Sequence, residues 1–356
     1  MEATGASTKP NIMIMDNTEL EKLAYFIKKP TDGRPYPVMP FYNGKRFVQP
    51  LIKHKKLLLL EMTELIEGMY LAKEIVDPKK DMHLVIYETL FQEFSFSDIL
   101  GFGKDLGRDL LNFGASIEKH DLIIGDYTLS RKKKGGHSYL ISTELEYVFY
   151  NVRAMYDLVQ IISRNIWKRI DLSDPSSKKR ELPCSFSDVV LSKSGHDILS
   201  SKEISEKYAL PKSLADFYEK EAPFFKSCRS FRNDISHKGT TPDWLFMFEE
   251  GAAVSIMQVP FCNFAFWGES ELRANNLGSV KALIAYIASR AIHATVNFCS
   301  ALKTNIRLYE SIAPKWHVFV RGSHVHHLLN LAGTIRNPWL RAKRKLAKAD
   351  AGDCHG

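Results

Sequence analysis

Apolar residues along this chain recur mostly three and four positions apart, which is the spacing of one face of a helix. The clearest pattern covers residues 143–170, where Thr143 and Glu146 form a capping-box sequence at the start. Helix-breaking residues such as Pro78 and Pro314 end other patterns. The spacing predicts helices over residues 19–29, 51–76, 83–94, 143–170, 201–207, 214–220, 223–238 and 279–309.

Two segments alternate like strands instead. Within residues 121–141, apolar runs flank the basic turn Arg131-Lys132-Lys133-Lys134, which predicts a β-hairpin with a lysine-rich tip. After Gly239, runs over 244–248 and 253–267 are joined by Glu249-Glu250-Gly251 and predict a second hairpin. These strands are few beside the helices, so we predict a mainly α protein with one or two β-hairpin insertions.

The order of these elements predicts three regions. Residues 1–139 form an N-terminal helical extension with the hairpin near 121–141, residues 140–310 a helical bundle, and residues 311–356 a basic C-terminal tail. The net charge is +8, and residues 336–348 contain six cations and no acidic residue. Such a cluster either contacts a polyanion such as RNA or is simply solvated. The six cations are Arg336, Arg341, Lys343, Arg344, Lys345 and Lys348.

Composition indicates a folded, intracellular protein. The 356 residues suffice for one large or two modest domains, and no apolar run reaches the roughly eighteen residues of a membrane span. The polar first residues lack the basic start and apolar core of a secretory signal. The five cysteines are scattered without a C-x-x-C pair, so we expect neither disulfides nor a zinc knuckle. The expected location is the reducing cytoplasm.

The most informative stretch for function runs from Phe231 to Gly239 and contains Arg232, Asn233 and His237. Arginine binds phosphate through a planar fork of donors and stays charged at every relevant pH. Histidine titrates near neutrality, so it can accept or donate a proton. Together these residue types can cut a phosphodiester without a metal ion.

Helical geometry gives this stretch a definite layout. Apolar residues at 224, 228, 231 and 235 lie on one face, and Asn233 and His237 stack on roughly the opposite side. Arg232 and His237 are about 140° apart around a straight helix. Either the helix bends after Ile235, or a working site combines groups from two copies of the chain.

The pattern Arg-Asn-x-x-x-His, at residues 232–237, resembles the signature of the HEPN superfamily. The resemblance implies a helical bundle with the signature on a late helix, here within residues 140–310. It also implies an endoribonuclease of the toxin–antitoxin or abortive-infection type, active in defence, with composite sites across a homodimer. An antitoxin or a nucleotidyltransferase that modifies the domain would then be a further partner.

For such a nuclease we expect three catalytic residues. His237 would act as general base or acid, Arg232 would stabilise charge on the transferring phosphoryl group, and Asn233 would position His237 or donate to phosphate. RNA contacts are expected from five further cations, and Arg153 and Asp157 are candidate supporting residues. The ordinary interpretation of this last pair is an ion pair within one helix. The five expected RNA-binding residues are Arg229, Lys238, Arg341, Arg344 and Lys345.

Two other interpretations remain open. The motif is also typical of an ordinary helix end, with cations in the last turn and Gly239 as the cap. The alternative function is therefore a non-catalytic HEPN-like module that binds nucleotides, RNA or proteins. The histidines at 317, 324, 326 and 327 are dense, but a metal site needs several convergent ligands with supporting partners. We therefore expect neither a metal nor another cofactor, and no membrane partner.

Overall fold

The computed structural model divides the chain into two compact units. Unit 1 comprises residues 1–101 and 308–326, and unit 2 comprises residues 102–307 and 327–356. This division differs from the predicted boundaries near residues 139 and 310. The structure describes residues 12–15, 36–53, 56–93, 97–130, 136–172, 179–238, 245–259, 261–264, 266–306, 313 and 315–339. The side chains of 12–15, 36–37, 92–93, 97–98, 232–238 and 305 lie outside the description.

Unit 1 is built on a mixed β-sheet with the strand order β1-β5-β4-β3-β6-β12-β7, and β2 pairs with β4 beside this path. The pairings are antiparallel, except that β3 and β6 run parallel. A short helix α1 (Val85–Glu88) follows β7 and continues as a π-helical turn to Glu93. The strands are β1 (Ile12–Met15), β2 (Tyr36–Pro37), β3 (Phe41–Tyr42), β4 (Phe47–Lys53), β5 (Lys56–Met62), β6 (Gly68–Ala72), β7 (Asp81–His83) and β12 (His317–Arg321).

The helix predicted over residues 51–76 is wrong, because this segment forms β4, β5 and β6. Residues 57–60 are four consecutive leucines, and an unbroken apolar run suits a strand in a sheet as well as it suits a buried helix. Strand β5 pairs along its length with β4, for example Leu58 with Leu51. The predicted helix at 83–94 is confirmed in outline, whereas the one at 19–29 lies outside the described residues.

Strand β12 lies between β6 and β7 although it follows them by more than two hundred residues. Val318 and Val320 are buried, and Phe319 pairs with Tyr70 on one side and His83 on the other. The region predicted as a basic tail from residue 311 therefore begins with a strand inside the sheet. Such a pairing depends on partners far away in the sequence, which a local pattern does not reveal.

A buried ion pair joins β7 to β12. The Asp81 carboxylate is fully buried and accepts from Arg321 Nε at 2.5 Å and Nη2 at 2.7 Å. It also accepts from the Tyr70 hydroxyl and the Asp77 backbone N–H, each at 2.7 Å. Burial alone would raise the pKa of Asp81, but these donors hold that pKa below its ordinary value. The carboxylate therefore stays ionised and saturated with donors.

Unit 2 is dominated by four long helices. They are α2 (Ser97–Leu129), α3 (His137–Lys168), α6 (Lys212–Lys238) and α7 (Val280–Asn305), and α3, α6 and α7 pack against one another. Apolar residues at helical spacing explain this packing, as in the buried stripe along α2. Shorter helices are α4 (Phe186–Val190), α5 (Ser201–Tyr208), α8 (Val325–Leu329) and α9 (Leu331–Arg336). The stripe along α2 contains Leu106, Leu110, Phe113, Ile117 and Ile124.

The hairpin predicted near 121–141 is also wrong. Its two apolar runs belong to the end of α2 and the start of α3. Ile117 and Ile124 continue the buried stripe of α2, so the run at 122–124 belongs to a helical pattern that begins far upstream. The predicted capping box of α3 is wrong as well, because α3 begins at His137 and the Thr143 hydroxyl donates to the Leu140 carbonyl inside the helix.

The helices predicted at 143–170, 201–207 and 279–309 are confirmed as α3, α5 and α7, with shifted ends. Helix α5 has a capping box formed by Ser200 and Glu203, and Ser279 caps α7 by accepting from the Ala282 N–H. The two segments predicted at 214–220 and 223–238 form one helix, α6, with Pro223 in its interior rather than in its first turn. Proline removes one backbone donor there, and tertiary packing maintains the helix across it.

Unit 2 also contains a small antiparallel sheet with the strand order β10-β11-β9-β8. The second predicted hairpin is present as β8 and β9, although β9 ends at Ser255 rather than near residue 267. With this sheet and the larger one in unit 1, the predicted mainly α class is wrong, and the described chain is mixed α and β. The strands are β8 (Leu245–Phe248), β9 (Gly251–Ser255), β10 (Leu272–Arg273) and β11 (Leu277–Ser279).

The carboxylate of Glu221 joins the three packed helices of unit 2. Glu221 lies on α6 and is 1% exposed. It accepts from the Tyr156 hydroxyl of α3 at 2.9 Å and from Asn297 Nδ2 of α7 at 3.0 Å. The Arg290 guanidinium of α7 lies 3.4 Å away and also stacks over the ring of Phe224. An ion pair, two hydrogen bonds and a cation–ring contact therefore connect the three helices around Glu221.

Among the described helices, residues Val280–Thr304 of α7 are long and apolar enough to cross a membrane by length and composition. Of the most apolar 18-residue stretch of this helix, 61% is buried inside the protein. This burial is typical of the core helix of a soluble protein.

We expect Glu221→Ala to lower the free energy of unfolding of unit 2 by about 3 kcal/mol or more, since it leaves buried donors of two helices without an acceptor. The matched control is Glu206→Ala, because Glu206 forms only an exposed pair with Lys202 and should contribute less than about 0.5 kcal/mol. Urea unfolding of both variants measures the difference. A Glu221→Ala effect no larger than that of the control would contradict this role.

The ion pair of unit 1 predicts a dependence on acid. The folded pKa of Asp81 is lowered, so its stabilisation is complete above the ordinary carboxyl pKa of about 4 and is lost as the pH falls below it. Asp81→Asn should therefore strongly lower the free energy of unfolding at pH 7. The difference in unfolding free energy between this variant and the wild type should shrink between pH 4 and pH 2. Urea unfolding across this range measures it, with the exposed Glu64→Gln as control. A difference that does not change with pH would contradict the prediction.

Candidate functional site

Helix α6 carries the Arg-Asn-x-x-x-His motif and packs by the face that the sequence predicted. Phe224, Cys228 and Phe231 are 7%, 1% and 1% exposed. The ring of Phe231 stacks on Phe149 of α3 with centroids 3.7 Å apart, and it meets Phe261 edge-on. The residue directly before the motif is thus fixed in the core of unit 2.

The backbone of the motif is helical as far as Lys238, so α6 continues past Ile235, the residue after which one of the two alternatives places a bend. The side chains of Arg232, Asn233, His237 and Lys238 lie outside the described part of the structure. Five residues of regular helix separate the positions of Arg232 and His237 by about 140° around the axis. On this backbone, the two positions of one chain face different directions.

Arg229 lies one turn before Asn233 and lines a surface cavity of about 580 Å³. Arg229 is partly buried and forms no ion pair with any side chain that the structure describes. Lys193 and Lys207 lie in the same wall, together with the carboxylates of Asp188 and Glu203. The Glu203 carboxylate is engaged by the Ser200 cap of α5. The cavity therefore offers cationic groups beside the motif helix.

Arg153 and Asp157 form the intrahelical pair that was the ordinary interpretation, with Nε and Oδ2 3.5 Å apart. The other oxygen of Asp157 accepts from the Ser185 hydroxyl at 3.3 Å and the Phe186 N–H at 3.2 Å. Asp157 thus supports the start of α4, whose residue Asp188 lines the cavity. A role of the pair in orienting His237 stays a prediction.

Three further predicted RNA contacts belong to the C-terminal region. Arg341, Arg344 and Lys345 lie outside the described residues, as does the lysine-rich run at 131–134. Of the predicted site residues, the structure therefore describes the side chains of Arg153, Asp157 and Arg229.

The histidines at 317–327 do not gather into one group among the described residues. The ring of His326 contacts the Ser323 carbonyl at 2.6 Å, and His327 lies 3.9 Å from Glu118. His317 instead meets His83 and Glu88 of unit 1, with all three ligand atoms within 4.8 Å of one another. Sequence reasoning missed these two partners, because only the pairing of β12 with β7 brings them to His317.

Comparison with models of known protein families, with curated proteins and with solved structures gives no significant match. The interpretation of the site therefore depends on the chemistry and placement of its own residues.

Proposed function

We propose that this protein is a metal-independent endoribonuclease whose active site combines Arg232 of one chain with His237 of a second copy. The observation that supports this best is the uninterrupted helix α6. Because the two positions of one chain face different directions, a second copy is the simple way to bring the two groups to one phosphate. The resemblance of the motif to the HEPN signature supports the same arrangement.

The chemistry needs no cofactor, because RNA contains its own nucleophile. The ribose 2′-oxygen forms a bond to the adjacent phosphorus, and the bond from phosphorus to the 5′-oxygen breaks. His237 takes the proton of the 2′-hydroxyl as general base, and the leaving 5′-oxygen receives its proton from water. Arg232 stabilises the charge on the phosphoryl oxygens, and Asn233 positions the reacting groups. The products are a 2′,3′-cyclic phosphate and a 5′-hydroxyl.

The cavity beside α6 is the proposed path for the RNA backbone. Arg229 lines this cavity and forms no ion pair with any described side chain, which supports a contact between its guanidinium and a phosphate. Lys193 and Lys207 extend the cationic surface away from the motif. Lys238, Arg341, Arg344 and Lys345 are proposed as further contacts.

The protein is proposed to act in the cytoplasm. Within the described residues, Cys184, Cys228, Cys262 and Cys299 form no disulfide, as expected in a reducing compartment. A role in defence, and an antitoxin or nucleotidyltransferase that silences the nuclease, follow from the motif resemblance alone.

We expect the purified wild type to cleave mixed cellular RNA in the presence of EDTA and to leave cyclic phosphate ends. Arg232→Ala and His237→Ala should each be inactive, because each lacks one half of the site. His293→Ala, which removes an exposed histidine of α7, is the matched control and should cleave like the wild type.

Mixing the two inactive variants tests the composite site directly. After subunit exchange, a heterodimer contains one site with both groups intact, so about a quarter of the wild-type activity should return. A mixture that stays inactive while heterodimers form would contradict a site shared between chains. Inactive wild type, despite RNA binding, would favour the non-catalytic module.

Arg229 is expected to contact phosphate. Arg229→Ala should weaken single-stranded RNA binding at low salt and reduce the number of counterions released by about one, which lowers the slope of log K against log salt by about 0.7. Fluorescence anisotropy at several salt concentrations measures this slope. The control is Arg108→Ala, since Arg108 is exposed and paired with Asp105. Equal slopes for the two variants would exclude Arg229 from the RNA path.

A further inference from the structure

Unit 1 contains a side-chain cluster that the proposed ribonuclease does not use, formed by His83, Glu88 and His317. His83 ends β7, Glu88 ends α1, and His317 begins β12. Glu88 Oε2 lies 2.5 Å from His83 Nε2 and 3.1 Å from His317 Nδ1. One carboxylate oxygen thus faces a nitrogen of each imidazole.

The sheet register explains how this cluster forms. His83 pairs with Phe319, and His317 precedes Phe319 by two residues, so the three side chains share one face of the sheet. The ring of Phe319 lies beside both imidazoles, with centroids 5.8 and 6.3 Å away. Helix α1 follows β7 directly, and its last residue, Glu88, lies beside both imidazoles. The backbone pairing of β7 with β12 therefore fixes the positions of His83 and His317, two of the three groups.

Two imidazoles and one carboxylate are a recognised ligand set for divalent transition metals. Zinc sites with two histidines and a glutamate leave a fourth position for water, and related sets hold iron. The three ligand atoms lie within 4.8 Å of one another, so small side-chain rotations can bring them around one ion. Magnesium and calcium prefer oxygen ligands, which makes them a poorer fit.

The burial and charge of the cluster suit an ion. The side chains of His83, Glu88 and His317 are 38%, 22% and 43% exposed, so an ion could enter and keep contact with solvent. Burial alone would raise the pKa of Glu88, but hydrogen bonds from His317 and His83 hold that pKa below its ordinary value.

We propose that His83, Glu88 and His317 bind one divalent first-row transition metal ion of the zinc class, with at least one coordination position left to solvent. This site belongs to unit 1 and does not depend on the proposed RNA cleavage. A positive result would correct the expectation that the protein has no metal.

The test uses the full chain after treatment with EDTA and dialysis, with Zn²⁺ as the probe in isothermal titration calorimetry. We expect one Zn²⁺ per chain, and binding at least about tenfold weaker in His83→Ala, His317→Ala and Glu88→Gln. Glu88→Gln can keep a hydrogen bond to an imidazole, so it retains the fold better than a truncation does. The control His196→Ala, which removes an exposed histidine of unit 2, should bind like the wild type.

Co²⁺ substitution identifies the ligand type. Visible d–d bands without a thiolate charge-transfer band would indicate nitrogen and oxygen ligands and exclude the exposed thiols Cys184 and Cys262. No Zn²⁺ binding, or binding that is equal in Glu88→Gln, His83→Ala and wild type, would overturn the site and leave a hydrogen-bonded cluster only. RNA cleavage is measured in EDTA, so the two proposals can fail independently.

Discussion

The placement of the motif in unit 2 depends on a single buried carboxylate. A charged group in the protein interior is costly unless donors surround it, so Glu221 is stable only where Tyr156, Asn297 and Arg290 all reach it. This requirement fixes how far α6 can slide or rotate against α3 and α7. The motif begins eleven residues later on the same helix, about 16 Å along its axis. The orientation of the motif is therefore set by the contacts of Glu221, which take no part in the proposed chemistry.

Three long helices of unit 2, α3, α6 and α7, could be predicted from the sequence because their packing follows a local period, whereas α2 was not predicted and its end was taken for part of a hairpin. The face at Phe224, Cys228 and Phe231 was predicted correctly, since each residue is within two turns of the next. The sheet of unit 1 could not be predicted in the same way. Four consecutive leucines fit both a helix and a strand, and the pairing of β12 with β6 joins distant segments that have no common local signal.

The same contrast applies to the sites. The motif at 232–237 was found because its residues lie on one helix, and Arg229 was found because it precedes them by one turn. The histidine-and-glutamate cluster was missed because Glu88 and His317 are 229 positions apart. His83 and Glu88 are near in sequence, but their spacing of five fits neither a helix face nor a strand face. Only the sheet register turns these three residues into neighbours.

The late position of β12 in the chain has a consequence for synthesis on the ribosome. Until residue 321 has emerged, β6 and β7 lack the strand that lies between them, and Asp81 lacks the guanidinium that balances its charge. The residues of unit 2 up to 307, by contrast, emerge before β12. While these residues are translated, the nascent sheet thus presents an unpaired edge at β6, and β7 lacks its strand partner β12. Such edges attract other strands. This topology therefore favours chaperone binding to the nascent chain over a sheet that completes itself early.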